Sequence, residues 1–548
     1  MPSTKKLLSI TNLKKYFPVA KSSIFQRKKL YVRANENISI DIYEGETIGI
    51  VGESGCGKST LGRVLLQLYP QTSGCTIYYG KTLDEMAPFY MYQTLKYGKV
   101  YRKNLAKASA RARILENRVE AVEAAGGEDA VDAYLLQERN FAQCDEQGEL
   151  SKLTKILGGF YAREDAEGIS LMLDIYRENK EKKKLLEKRK KLQVKLDHLE
   201  HEATVQEDSS KTGSLLAKQN KISAKRDQLD ASVQEREQKV AELQGKLADV
   251  RKKYAEDPEF EQYEALRDDG IDLARLTVRE TRGLRKDLQI IFQDPYSSLN
   301  PRFTVGQIIQ EGLLTHHFFK KGSDKLRSYI VETMEKCGLQ EYMLHRYPHQ
   351  FSGGQRQRIC IARALAVQPK FVVCDECVSA LDVSIQSQII NLLQELKEKQ
   401  DLTYMFISHD LSVVKFISDR IAVMYLGSIV ELADKNTIFS DPRHPYTVAL
   451  LSSIPTTEAG SADKERIILE GSIPSPVNPP PGCKFCTRCY MATEKCRRVS
   501  PPLVEIAPNH FCACHYPERK LDENKNFLFE VKTTKSSDAG TEQAGKEQ

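Results

Sequence analysis

Apolar residues follow two different patterns along the chain, and each pattern predicts a different kind of structure. Residues 47–51 and 370–374 form short continuous apolar runs, which are typical of strands buried inside a sheet. Between them, residues 82–269 carry apolar positions seven residues apart, as in helices that pair lengthwise. The patterns therefore predict an α/β core interrupted by a long helical insertion.

A glycine-rich segment at residues 52–59 follows the first apolar run and precedes a predicted helix at 60–66. In this strand–loop–helix context the pattern is typical of a phosphate-binding loop, whose glycines let backbone amides approach phosphate oxygens. Lys58 supplies a positive charge, and the Ser59 hydroxyl can ligate Mg²⁺. The segment therefore predicts that the chain binds a nucleoside triphosphate. The residues expected to hold it are Gly52, Glu53, Ser54, Gly55, Cys56, Gly57, Lys58, Ser59 and Thr60.

Two carboxylates end the second apolar run. Asp375 is suited to hold Mg²⁺ through water, and Glu376 is suited to polarise an attacking water molecule. Taken alone, the pair equally describes a strand that reaches the surface. Further motifs flank it, however: Ser-Gly-Gly-Gln at 352–355 lies upstream, and Ser-His at 408–409 lies downstream. Two glycines at the start of a helix form a second candidate anion site.

With these motifs in this order, the chain resembles the ATP-binding-cassette (ABC) ATPases. The resemblance implies a P-loop NTPase (RecA-like) core with an antiparallel β subdomain and a helical signature subdomain. It implies catalytic roles for Glu376 and for His409, which contacts the γ-phosphate. It also implies that Gln293 touches the metal and a transmembrane partner, and that Asp382 crosses a dimer interface. The residues implied to cap the γ-phosphate of an ATP held by an opposite subunit are Ser352, Gly353, Gly354 and Gln355.

Two further positions concern the nucleotide site: the residue that stacks on adenine and the residue after Glu376. An aromatic residue for adenine stacking is expected early in the chain, with Phe17 preferred over Tyr16. Position 377 is Cys where the family usually has Pro, so the loop that carries Glu376 has a freer backbone. We expect this difference to leave hydrolysis intact.

The chain has a single phosphate-loop motif, so we expect one cassette. Its composite site then requires a second cassette, from another copy or from a paralogue. A closer resemblance, to the ATPase subunits of oligopeptide and dipeptide importers, rests on the segments 293–302, 382–386, 444–447 and 471–480. The opening residues 13–19 look more like the F-type subunit of such importers than the D-type.

This resemblance implies that ATP hydrolysis powers peptide import. The implied partners are a second ATPase subunit, two transmembrane permease subunits and, indirectly, an extracytoplasmic peptide-binding protein. The implied location is the cytoplasmic face of the cell membrane. The ATPase of such importers does not contact the cargo, so cargo preference is not expected to be visible in this chain.

Composition narrows the function classes only slightly. A length of 548 residues predicts more than one folding unit, and a net charge of +6 gives no case for nucleic acid. No run approaches the about 18 apolar residues that a membrane helix needs. Thirteen cysteines without a secretion signal favour reduced thiols or a metal site.

The predicted divisions are 1–81 and 270–440 for the cassette, 82–269 for the insertion, 441–515 for a Cys-rich C-terminal extension, and 516–548 for a disordered tail.

Six of the cysteines fall within residues 483–514, in a Pro-rich and loop-like part of the chain. Such clustering suggests ligands that hold together a segment with little apolar core. The importer resemblance implies a [4Fe–4S] cluster, with Cys486 and Cys512 as additions to the family's pattern. A zinc site and free thiols remain alternatives. The implied cluster ligands are Cys483, Cys489, Cys496 and Cys514.

The insertion is far longer than an ordinary connection and is expected to be a separate module. Its heptad positions predict an antiparallel coiled-coil hairpin with a polar turn at 206–213, and residues 88–165 are also expected to be helical. Docking on a partner or regulation of coupling is one interpretation, and a spacer is another. A third interpretation is a basic contact with a membrane or nucleic acid. The apolar heptad positions are Ile222, Leu229, Leu243 and Val250, then Val233, Val240, Leu247 and Tyr254, and Leu185, Leu192, Leu196 and Leu199 in the first arm.

A coiled coil inserted in a cassette also suggests the ABC ATPases of DNA repair and chromosome maintenance. Those proteins resemble one another in a Ser-Gly-Gly-Glu signature, much longer arms and an insertion after the glutamine loop. This chain has Gln355, short arms and an insertion before Gln293. This alternative, and an ATPase that works without membrane subunits, are therefore weaker than the importer hypothesis.

Overall fold

Two β-sheets frame the molecule in this computed structural model, which describes residues 5–20, 30–126, 131–205, 209–453, 467–518, 520–521 and 527–528. The larger sheet has eight strands, and the smaller has four. The described strands are β1 (Lys6–Pro18), β2 (Tyr31–Tyr43), β3 (Thr47–Val51), β4 (Ser73–Tyr78), β5 (Ile271–Asp272), β6 (Leu288–Ile291), β7 (Phe371–Asp375), β8 (Thr403–Ile407), β9 (Arg420–Tyr425), β10 (Ser428–Asp434), β11 (Val504–Ala507), β12 (His510–Cys512), β13 (Lys520–Leu521) and β14 (Phe527–Leu528).

The helices fall into three groups along the chain. One follows β3, seven lie between β4 and β5, and the others alternate with the later strands. The described helices are α1 (Lys58–Leu65), α2 (Leu83–Met86), α3 (Phe89–Lys96), α4 (Gly98–Gly126), α5 (Ala133–Leu157), α6 (Ala166–Val205), α7 (Ser209–Lys252), α8 (Pro258–Glu264), α9 (Val278–Leu284), α10 (Pro295–Ser298), α11 (Val305–Thr315), α12 (Asp324–Lys336), α13 (Gly353–Leu365), α14 (Val383–Gln400), α15 (Leu411–Ile417), α16 (Lys435–Ser440), α17 (Pro445–Ser452) and α18 (Glu494–Arg498).

The larger sheet has the strand order β11-β12-β10-β9-β3-β8-β7-β6. Strand β3 is parallel to β8 and β9, and β7 is parallel to β6 and β8. Every residue of β3, β7 and β8 is buried, which explains their continuous apolar sequences. Because parallel strands end at the same edge, the loops after β3, β6, β7 and β8 meet there. The predicted α/β core is confirmed.

The smaller sheet is antiparallel and has the order β2-β1-β4-β5. On the other side of the core, helices α10 to α13 separate β6 from β7 and pack on one another. Their apolar residues, such as Ile309 and Met334, belong to the same hydrophobic cluster as Phe406 of the sheet. The structure thus contains an antiparallel sheet and a helical subdomain on either side of the parallel core.

Helices α6 and α7 lie side by side and run in opposite directions. The direction follows from their contacts, because Arg236 pairs with Glu178 near one end and Gln219 donates to Glu200 near the other. The turn predicted at 206–213 is wrong in its second half, since α7 already begins at Ser209. A connection of a few residues is enough to join antiparallel helices, so the polar residues from 209 onward remain helical. Residues 206–208 lie outside the described residues.

The insertion packs on the cassette instead of enclosing a core of its own. Leu153 and Phe160 are fully buried in the same hydrophobic cluster as Leu7 and Tyr78 of the small sheet. At the base of the hairpin formed by α6 and α7, Asp84 accepts hydrogen bonds from Asn179 and Gln244, one from each arm, both at 2.9 Å. A small separate cluster consists of Val119, Val131 and Leu135. Burial is thus continuous from the small sheet into the helices of the insertion, and the division at residues 82–269 stays a prediction.

The C-terminal extension (residues 441–515) also joins the core. Strand β12 pairs with β10, and β11 pairs with β12, so this segment supplies the outer edge of the larger sheet. Of the predicted disordered tail, 516–548, most lies outside the described residues, and its two described strands, β13 and β14, pair with each other.

None of the described helices is long and apolar enough to cross a membrane.

Candidate functional site

The phosphate loop (residues 52–59) connects the buried strand β3 to helix α1. Two of its glycines are required by the fold. Gly52 has φ 151°, and a Cβ there would lie 2.2 Å from the Met424 carbonyl oxygen. Gly57 has φ 99°, and a Cβ would lie 2.1 Å from the Ala34 carbonyl oxygen. The loop therefore fits between two backbone segments only because these residues have no side chain.

Lys58 carries the positive charge of the loop. Its Nζ donates to the carbonyl oxygens of Gly52 at 2.8 Å and Glu53 at 3.1 Å, and the residue is 4% exposed. Two carbonyl acceptors hold the ammonium against the loop that is expected to bind phosphate. A buried ammonium in this position is suited to bind a phosphate oxygen.

Ser59 and Asp375 meet because β3 and β7 both flank β8. The Ser59 hydroxyl donates to Asp375 Oδ1 at 2.5 Å, and Arg63 Nη2 lies 3.4 Å from Oδ2. Asp375 is 1% exposed, and these two partners are the ones that its buried carboxylate contacts. Within the described ranges, no three His, Cys, Asp or Glu side chains form a group that could hold a metal ion. Mg²⁺ usually binds through one or two protein ligands and waters, so a hydroxyl beside one carboxylate fits it.

Three polar residues converge at the ends of adjacent strands. Glu376 follows β7, Gln293 follows β6 by two residues, and His409 follows β8. Gln293 Nε2 donates to Glu376 Oε2 at 2.7 Å, and His409 Nδ1 lies 3.7 Å from Glu376 Oε1. Glu376 has φ 45°, a left-handed backbone conformation that turns its side chain toward this edge. The structure thus brings all three predicted catalytic residues together.

The signature (residues 352–355) forms the N-cap and first turn of α13, where Ser352 and Gly353 are exposed and Gly354 is buried. The Ser352 hydroxyl accepts from the Gln355 amide, and the Gln355 side chain accepts from the Ser352 amide at 3.1 Å. A Cβ on Gly354 would lie 2.6 Å from Ile385, whereas Gly353 is open to solvent. Asp382, also exposed, precedes α14. Among the described residues no hydrogen bond joins the signature or Asp382 to the phosphate loop.

The two candidates for adenine stacking have different surroundings. Phe17 packs edge-on against Tyr69 at 5.5 Å, and the Lys15 ammonium lies 4.6 Å from its ring centre. The Tyr16 hydroxyl donates to Glu36 at 2.9 Å, and burial raises the pKa of Tyr16. In the described part of the chain neither ring contacts the phosphate loop, so the stacking role of Phe17 stays a prediction.

Cys377, the residue found where the family usually has Pro, is 2% exposed. It lies next to the buried Cys374, and a hydrogen bond with Cys377 together with burial raises the pKa of the Cys374 thiol. Cys56 in the phosphate loop is also buried, and burial raises its pKa. These cysteines are therefore packed as small, buried side chains.

Five of the six cysteines of the extension line one small cavity. Burial raises the pKa of Cys483 to about 12, and its neighbours there are Cys489, Cys496 and Cys514. The donor set is suited to an iron–sulfur cluster or to zinc. However, the described residues bring no three of these thiols into a metal-holding arrangement. The cysteines that line the cavity are Cys483, Cys486, Cys489, Cys496 and Cys514, without Cys512.

Sequence reasoning missed three residues that contact the site. Arg63 lies one helical turn after Ser59 and approaches Asp375, and this spacing on α1 could have revealed it. Tyr446 and Arg488 both bind Glu53 of the phosphate loop from the C-terminal extension. Nothing in the sequence indicates that contact, because the partners are hundreds of positions apart.

Two protein-family models match the chain. The family model described as "ABC transporter" matches residues 35–256 and 259–379. The model described as "Oligopeptide/dipeptide transporter, C-terminal region" matches residues 430–496, within the larger sheet and the C-terminal extension. The first match covers more than half of the chain and includes the phosphate loop, the signature and Glu376.

Individual relatives agree with the family models. The oligopeptide transport ATP-binding protein AppF of Bacillus subtilis is 52% identical over 250 residues, 45% of this chain and 75% of the relative. The oligopeptide transport ATP-binding protein OppF of Salmonella typhimurium is 50% identical over 246 residues, 45% of this chain and 73% of the relative. A solved ATP-binding cassette dimer with ADP and Pi is 16% identical, covers 78% of this chain and 99% of that chain, and has a TM-score of 0.39, too low to carry an argument.

The phosphate loop, the converging strand ends and the family matches agree with one another. Both matching models describe transporters, so the DNA-repair alternative has no support. The chain belongs to the ABC transporter family and is an ATP-hydrolysing ATPase of that family.

Proposed function

We propose that this chain is the ATPase subunit that powers import of oligopeptides or dipeptides. The observation that carries the proposal is that one chain matches both the ABC transporter model and the model of the oligopeptide/dipeptide transporter C-terminal region. The relatives named for oligopeptide transport support it, at 50–52% identity. In this proposal the chain acts at the cytoplasmic face of the membrane through two permease subunits, which a peptide-binding protein supplies with cargo.

Within the cassette we assign roles from the contacts at the strand ends. Lys58 and the loop amides bind the β- and γ-phosphates of ATP, and Ser59 with Asp375 holds Mg²⁺, which offsets phosphate charge. Glu376 accepts the proton of the attacking water, and Gln293 and His409 orient the reacting groups. Phe17 is proposed to stack on adenine.

We further propose that the site is completed by a second cassette, either a paralogue or another copy. The support is that Ser352, Gly353 and Asp382 are exposed and that no hydrogen bond among the described residues joins them to their own phosphate loop. The helix start at Gly353 suits the γ-phosphate of ATP bound to a neighbouring subunit.

For the extension we propose a [4Fe–4S] cluster on Cys483, Cys489, Cys496 and Cys514, with zinc as the alternative. The support is that all four thiols line one cavity. Anaerobic purification followed by visible absorbance and metal analysis is the test. A brown protein with about four iron atoms per chain supports the cluster, and a colourless protein with stoichiometric zinc contradicts it.

For residues 82–269 we propose a coiled-coil insertion that regulates coupling. Helix α6 reaches the helical subdomain of the cassette, because Lys190 Nζ donates to the His316 carbonyl oxygen at 3.1 Å. His316 ends α11 in the helical subdomain. Lys190→Ala should change transport-coupled hydrolysis, whereas the neighbouring Lys191→Ala should not. Unchanged transport and assembly after deletion of 82–269 would leave only a spacer role.

The importer proposal is tested by affinity capture from detergent-solubilised membranes with this chain as bait. Two hydrophobic permeases and a related ATPase are expected. Tyr296 lies beside the Gln293 loop and is 67% exposed. It should be needed for permease capture, so the Tyr296→Asp variant should no longer capture the permeases. Tyr342→Asp is the matched control. Tyr342 is 57% exposed, and an arginine guanidinium lies over its ring as one does over the ring of Tyr296. Capture without permeases would contradict the importer assignment.

A further inference from the structure

The C-terminal extension reaches the phosphate loop directly through Arg488. Its Nη1 donates to both carboxylate oxygens of Glu53, at 3.1 and 2.9 Å. The Arg488 side chain is 8% exposed and that of Glu53 is 26% exposed, so the pair is largely shielded from water. The Tyr446 hydroxyl accepts from the Glu53 amide at 2.9 Å. One loop residue is thus held by its carboxylate and by its backbone.

A second contact from the same turn of the extension reinforces the first. Four residues before Arg488, the Lys484 Nζ lies 2.8 Å from Glu36 and donates to Ser428 Oγ at 2.7 Å. Next to Glu36, the Asn35 side chain donates to the Gly57 carbonyl oxygen at 3.0 Å. Lys484 therefore holds the strand that lies against the far end of the phosphate loop.

Aromatic packing fixes the position of both basic residues. Phe485 is 1% exposed and packs against Tyr425 at 5.2 Å and Tyr446 at 5.4 Å. The Arg488 amide donates to the Phe485 carbonyl oxygen at 3.0 Å, so the turn that carries Arg488 is anchored in the core. Because its backbone is fixed, the guanidinium has little freedom to leave Glu53.

The charge of Glu53 makes this contact important for nucleotide binding. A carboxylate inside a phosphate loop repels a triphosphate unless a cation offsets it, and burial strengthens that repulsion. The Glu53 carbonyl oxygen also accepts from Lys58 Nζ, so displacement of Glu53 disturbs the lysine that faces the phosphates. Arg488 supplies the offsetting charge and fixes the residue at the same time.

We propose that Arg488 of the C-terminal extension is a positioning residue for ATP binding, which neutralises Glu53 and holds the start of the phosphate loop in place. The extension is then part of the nucleotide site, although it does not touch the nucleotide itself.

The test uses the purified full-length chain and the binding of a fluorescent ATP analogue with Mg²⁺. Arg488→Ala should raise the Kd about tenfold, with hydrolysis at saturating ATP within about twofold of the wild type. The double variant Glu53→Gln/Arg488→Ala should recover to within about threefold, because the repelling charge is gone. Arg498→Ala, which removes a half-buried arginine paired with Glu494 in the same extension, should leave the Kd unchanged.

Two results overturn the proposal. One is an unchanged Kd in Arg488→Ala, and the other is a double variant that binds as weakly as the single one. The second result would mean that Arg488 only keeps the extension folded, because loss of folding is not repaired by removing the Glu53 charge. If Arg488→Ala does not yield folded protein, Arg488→Gln provides the same comparison with a side chain that still fills the space.

Discussion

Replacing Glu376 by Gln isolates the charge of this residue from its shape. Gln has the same length, and its side-chain oxygen can still accept from Gln293 Nε2, which lies 2.7 Å from Glu376 Oε2. The contact with His409 is longer, 3.7 Å, and is not needed to hold the side chain. The variant therefore retains the local geometry and loses only the basic carboxylate.

The expected loss follows from the role of a general base. Positioned proton transfer contributes about 10²–10⁴-fold to a rate, which corresponds to about 3–5 kcal/mol of activation free energy. ATP affinity should stay within about twofold, because the observed hydrogen bond of Glu376 goes to Gln293 and not to the phosphate loop. Turnover should thus stop while binding continues.

The assay pairs steady-state phosphate release with the binding of a fluorescent ATP analogue. Glu395→Gln is the control, since Glu395 is exposed on α14 and pairs with Lys399. Hydrolysis by Glu376→Gln within about threefold of the wild type would refute the assignment, because an essential base cannot be replaced by an amide at so small a cost.

Three further changes test separate parts of the structure. Gly57→Ala should abolish binding of fluorescent ATP, because its Cβ would lie 2.1 Å from a backbone oxygen; at Gly245, the control, an added Cβ meets nothing within 4 Å. Ser352→Ala should lower the free energy of unfolding in urea by about 1 kcal/mol, because α13 loses its side-chain cap. Leu247→Ala should cost about 2–5 kcal/mol, whereas Leu216→Ala, at an exposed position, should cost under about 0.5 kcal/mol. Equal effects in test and control would contradict the arguments for Gly57 and Leu247, and an unchanged free energy of unfolding in Ser352→Ala would contradict the argument for the cap.

The hairpin shows how far periodicity can be trusted. The heptad positions Val233, Val240 and Leu247 are buried, as a paired helix requires. The position of the turn was harder to predict, because polar residues and one glycine are tolerated within an exposed helix. The position of the turn depends on where the two helices stop contacting each other, and therefore on the sequences of both helices.

The insertion and the extension show what periodicity and spacing cannot predict. The heptad pattern describes pairing within the hairpin, but not the burial of Leu153 and Phe160 against the small sheet. The cysteine spacing indicates a shared site, but not that β11 and β12 extend the larger sheet. Both results depend on surfaces contributed by distant parts of the chain.

The phosphate loop, the acidic pair and the signature can be identified from the order of residues alone, because each is a short contiguous segment whose chemistry depends on neighbouring residues. Which segments meet is visible only in the folded molecule. Parallel strands that end at one edge bring Ser59 to Asp375, and the folded extension brings Arg488 to Glu53 across 435 positions. Such contacts arise from the order of strands in the sheet and from packing, which no local pattern of residues encodes.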